Sequence, residues 1–112
     1  MMAFQPEEQF RFDRRLELHV PELTQDWEHF TAEEQSAILY VWETIRGRIP
    51  DKILAFEREI ADLQQRMNRE DDFDAVCDMT WEIAEWASRI NDLNIYYRIQ
   101  GDVEDAAGKA HN

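Results

Sequence analysis

The chain has 112 residues, 25 Asp plus Glu against 12 Lys plus Arg, a formal net charge of -13 and 44% hydrophobic residues. That is the length of one domain, too apolar for a disordered acidic tail and too charged for a membrane-embedded protein. The negative excess repels nucleic-acid phosphates and anionic lipid, so neither direct nucleic acid nor membrane is an expected partner.

Three Gly and three Pro leave few breaks in the chain. The expected fold is therefore all-α: an antiparallel helical hairpin at about 50–69 and 72–100, with a preceding helix at about 32–47. These form a small helical bundle carrying an extended N-terminal arm. Residues 1–100 are expected to make a single helical domain, and 101–112, which lack an apolar pattern, a disordered tail.

Near the N-terminus, Phe10, Phe12, Leu16, Leu18 and Val20 all occupy even positions. Period two is the mark of extended chain with one apolar face. The segment reads as an extended arm or a short hairpin turning near Asp13-Arg14-Arg15, with a short helix as the alternative. Pro21-Glu22 suits a first helical turn, and Leu23, Trp27 and Phe30 follow at i, i+4 and i+7, which predicts a helix of about two turns. Thr31 and Glu34 then match a capping box. The helix they open has Ile38, Val41, Trp42, Ile45 and Ile49 as its buried stripe.

Gly47-Arg48-Ile49-Pro50 predicts a break, because Pro50 has no N–H and biases Ile49 toward extended geometry. Beyond it, Ile53, Phe56, Ile60, Leu63 and Met67 form a narrow seam at 3-4-3-4 spacing, as in one strand of a coiled coil. Asp72 is a ready N-cap for the last helix. There Met79, Ile83, Trp86, Ile90, Leu93 and Tyr97 recur at helical spacing, and Phe73, Val76, Cys77, Trp81, Ala84, Ile95 and Ile99 widen the apolar face past half the wheel. A face that wide needs cover on two sides. The seam helix gives one side, and the other comes from the preceding segments or a second copy, so a homo-oligomer, a dimer, is expected.

The sharpest chemical feature is acidic. Glu70, Asp71, Asp72, Asp74, Asp78, Glu82 and Glu85 fall within 16 residues without one base. On a helix, Asp74, Asp78, Glu82 and Glu85 share one side. Such a stripe is either solvated surface near a helix N-terminus or a docking stripe for a basic protein partner. Nothing in it has the Gly and ligand spacing of a calcium loop. His19, His29 and His111 form no helical pair, and Cys77, between Asp74 and Asp78, has no cationic neighbour to activate its thiol. Ser36 and Ser88 sit inside helices without a Gly-rich elbow, and the glycines are isolated. No catalytic, cofactor-binding or metal-binding residue is therefore assigned, and no cofactor is expected.

Trp81, Tyr96 and Tyr40 fall off the main apolar stripes and are expected to be exposed, and Trp and Tyr are enriched where protein partners bind. The candidate partner-binding residues are Asp74, Asp78, Glu82, Glu85, Trp81 and Tyr96. The expected function is a non-enzymatic protein–protein interaction module: a small acidic adaptor, regulator or oligomerisation subunit. The alternative is an acidic inhibitor or decoy occupying the basic site of a nucleic-acid-binding protein. The N-terminal segment has neither the basic nor the apolar region of a signal peptide, which gives a cytoplasmic location as the expectation.

Overall fold

A two-stranded antiparallel sheet opens the structure, a computed structural model that describes residues 3–99. Strand β1 (Phe10–Asp13) pairs with β2 (Leu18–Pro21), placing Phe10 opposite Pro21 and Phe12 opposite His19. Between them the chain reverses, with Glu17 at φ 54, in the left-handed region. Asp13 Oδ1 accepts from the Leu16 N–H at 3.1 Å and fastens the turn. The expectation of an all-α fold is corrected here: the protein is mostly helical but carries this small sheet. The even-position apolar pattern belongs to two strands and their turn. Leu16, Leu18 and Val20 are buried, while Phe12 stands on the other face of the sheet and is 48% exposed.

The expected helix over 21–30 is also corrected. Only Trp27–His29 forms a single 3-10 turn. The segment is tied instead to Gln9: Glu22 N–H, which a helix starting at Pro21 would leave without an internal partner, donates to the Gln9 carbonyl at 2.8 Å. Thr24 N–H and its hydroxyl both donate to Gln9 Oε1, at 2.8 and 3.1 Å. Buried Gln9 thus holds the segment irregular, and Trp27 and Phe30 pack on the core from it.

Helix α1 (Ala32–Arg46) starts at the predicted capping box. Thr31 Oγ1 accepts from Glu34 N–H at 3.1 Å, and Glu34 Oε1 accepts from Thr31 N–H at 2.9 Å. Helix α2 (Ile49–Met67) follows without the extended residue the proline suggested. Gly47 and Arg48 keep helical backbone angles, so α1 and α2 form one long bent helix. Pro50 cannot donate to the Arg46 carbonyl, which locates the bend. The bias that proline places on its predecessor is overridden at Ile49, which is fully buried in the core.

Helix α3 (Phe73–Arg98) is capped by Asp72, whose carboxylate accepts from Asp74 N–H. It packs along α2: Phe56 meets Trp86 with ring centroids 4.9 Å apart. The seam predicted for α2 is the one observed, with Phe56 and Leu63 buried and Ile53, Ile60 and Met67 half-buried.

The main core gathers at one end of the molecule. Leu16, Leu18 and Val20 meet Ile38, Trp42 and Ile45 of α1, Ile49 and Phe56 of α2, and Leu93 and Tyr96 of α3. Trp42 is its centre, stacked on Phe10, edge-on to Tyr96, and donating Nε1–H to the Ile99 carbonyl at 2.7 Å. Leu63 and Met79 are buried outside this cluster. The shape is accordingly long: 63 × 24 × 23 Å with a radius of gyration of 17.9 Å. A compact chain of this length has about 13 Å. No helix among the described residues is long and apolar enough to cross a membrane. The tail expected at 101–112 lies outside the described residues.

Candidate functional site

The first half of α3 carries the candidate surface. At 100° per residue, Asp74, Asp78, Trp81, Glu82 and Glu85 fall within an arc of about 100°. All five are exposed, and Trp81 shows 76% of its surface. Phe73, at the start of the same helix, shows 75%. Their exposure follows from the architecture: α2 covers the Met79 side of this stretch, and the main core packs only against the second half of α3.

The acids are not equivalent. Among the described residues no ion pair reaches Asp74, Asp78 or Glu82. Glu85 accepts from Arg15 Nε at 3.0 Å and from Arg89 Nε at 3.2 Å. Arg15 reaches further, donating to Ser88 Oγ at 2.6 Å and to Asp92 Oδ2 at 2.7 Å. This clasp ties the hairpin turn to α3 where the acidic face meets the core. Glu85 is thereby spent within the chain, and the free part of the stripe is Asp74, Asp78 and Glu82.

Arg15 and Arg89, donating to Glu85, hold its carboxyl below the ordinary glutamate range. Burial opposes the charge of Arg15, but its bonds to Asp92 and Glu85 outweigh that and raise its pKa. A depressed carboxylate pKa stabilises the folded state above the unfolded value and loses that contribution as pH falls through the folded one. In Arg15→Met the Glu85 titration should move up toward the ordinary value, followed by carboxyl carbon NMR. An unmoved titration would show that the clasp does not exist in solution.

Tyr96 is corrected. Expected to be exposed, it is only 4% exposed and belongs to the core. Burial, then the charge of Asp13, pushes its phenol above the ordinary tyrosine value. Its neighbour Tyr97, expected on the core stripe, is instead 40% exposed, with the Arg46 guanidinium 5.0 Å from its ring centre. Tyr40 is exposed as expected, at 76%.

A concave feature lies elsewhere on the molecule. The outer face of the hairpin and one side of α1 enclose a half-open cleft of about 480 Å³. Phe10, Phe12, Val41 and Ile45 supply apolar walls, and Glu7, His19, Tyr40, Thr44 and Arg48 add polar groups. Phe12 and His19 meet edge to face at 5.0 Å. Alternation alone hides this cleft, because its two sides are 20 or more residues apart in sequence. Arg15 escaped for the same reason: its partners lie 70 to 77 residues away.

Among the described residues no group of three or more His, Cys, Asp or Glu is placed to hold a metal ion. Comparison with protein-family models, with curated proteins and with solved structures finds no match.

Proposed function

We propose that the protein is a non-enzymatic interaction module that presents the outer face of α3 to a protein partner. In this reading α2 and α3 form an antiparallel helical hairpin, a stiff arm extending from the core end. The observation that carries it is Trp81: a large indole, 76% exposed, standing among Asp74, Asp78 and Glu82. An exposed indole within a polar rim is the composition of a protein-binding centre. The fold gains little from these acids. Asp78 and Glu82 repel each other at i, i+4 by a few tenths of a kcal/mol, and both lie beyond the first turn, where the helix dipole fades. Trp81 in mid-stripe favours a protein surface over an acidic decoy, whose phosphate mimicry would need charge alone.

The test is retention of protein by the immobilised chain, from native lysate and from its own soluble form, compared with D78K/E82K. The wild type should retain a partner and the double variant should not, while its stability stays equal or rises slightly. Equal retention by both would remove this face from the function.

A further inference from the structure

The exposed face of α3 and the hairpin–α1 cleft are chemically matched. One is an indole with carboxylates beside it on the same helix face: Trp81, with Asp78 one turn before it and Glu82 next to it. The other is an aromatic-lined hollow with a guanidinium at its wall: Phe10, Phe12 and Tyr40, with Arg48. Its volume of about 480 Å³ lies in the range of sites that take a bulky side chain or small ligand. Among the described residues Arg48 has no ion-pair partner. Glu7, also lining the cleft, supplies an acceptor for an indole N–H. The two features cannot satisfy each other within one chain. Trp81 lies 12 residues before the core residue Leu93, about 18 Å along the helix axis, and does not line the cleft.

We propose that the partner of the Trp81 face is a second copy of this chain. Trp81 of each copy enters the cleft of the other, and Arg48 there meets Asp78 and Glu82. Two such reciprocal contacts close a two-fold dimer, in which a patch and its complement recur on both subunits. Charge decides for this docking over a purely apolar one. Two chains of net charge -13 repel each other, so the contact needs a cation set against the acids, and Arg48 is a cation so placed. The inference rests on the reading that the outer face of α3 binds protein, and it names the occupant.

The experiment is a charge exchange followed by sedimentation velocity at high micromolar concentration. The wild type should sediment at twice 13.4 kDa. Arg48→Glu sets an acid against the acids of the incoming helix, and D78K/E82K sets bases against Arg48, so each alone should be monomeric. Mixed in equal amounts, the two variants should dimerise again, because both contacts in the mixed pair join opposite charges. All the substituted positions are exposed, and unchanged circular dichroism checks that each variant is folded. A monomeric wild type overturns the proposal, as does a mixture of folded variants that stays monomeric. If the wild type is monomeric yet still retains a lysate protein that D78K/E82K loses, the α3 face stands and only the second copy falls. If it retains nothing, both readings fall.

Discussion

Replacing Trp42 by Ala should cost about 3–5 kcal/mol of folding stability, the range for deleting a buried Trp or Phe. Domains of this size hold about 5–15 kcal/mol in all, so the variant loses a large share of its stability and its urea midpoint should fall steeply. The position is extreme for three reasons. Its side chain is fully buried, it touches rings from the hairpin and from α3, and its indole N–H holds the Ile99 carbonyl at the end of α3. Trp42→Phe separates these contributions. It keeps an aromatic ring in place and loses the hydrogen bond, about 1 kcal/mol, together with some packing. Urea unfolding measures both. A Trp42→Ala midpoint close to the wild type would mean that the hairpin, α1 and α3 are not joined through this residue.

Tyr96→Ala and Trp81→Glu should have opposite consequences, although the two residues share one helix. Tyr96→Ala opens a cavity beside Trp42 and should cost about 3 kcal/mol. Trp81→Glu exchanges one exposed side chain for another and should change stability by no more than about 0.5 kcal/mol. Partner retention should show the reverse: lost in folded Trp81→Glu, and kept in Tyr96→Ala at temperatures where that variant remains folded. Strong destabilisation by Trp81→Glu would show that the indole is covered within the chain.

The same pair of residues shows why the sequence was only partly legible. A helical wheel averages over the whole of α3, but the covered side changes along it. In the first half α2 buries the Met79 side, whereas in the second half the hairpin and α1 cover a side turned by about 40° at Leu93 and about 100° at Tyr96. A single stripe through Tyr97 therefore misplaced the last turn, and Tyr96 with it. The local signals were reliable where the physics is local: the Thr31–Glu34 box, the Asp72 cap and the α2 seam are all observed. Where distant segments compete, they were not. Gln9 captures the donors of Thr24 and prevents the expected helix. Burial of Ile49 keeps helical a residue that precedes proline. Of the candidate site, the acidic residues and Trp81 could be read from spacing on one helix, while the engagement of Glu85 by Arg15 depends on a contact across 70 residues.

Hydroxyl-radical footprinting of the native protein tests whether the Trp81 face of α3 is where this protein is bound. Trp42, fully buried, serves as the protected internal reference in both of two samples. In the purified chain at high dilution Trp81 should oxidise readily. In native lysate, with the protein at its natural concentration beside its partners, Trp81 should be protected. Equal oxidation of Trp81 in the two samples would mean that the Trp81 face is not where the protein is bound.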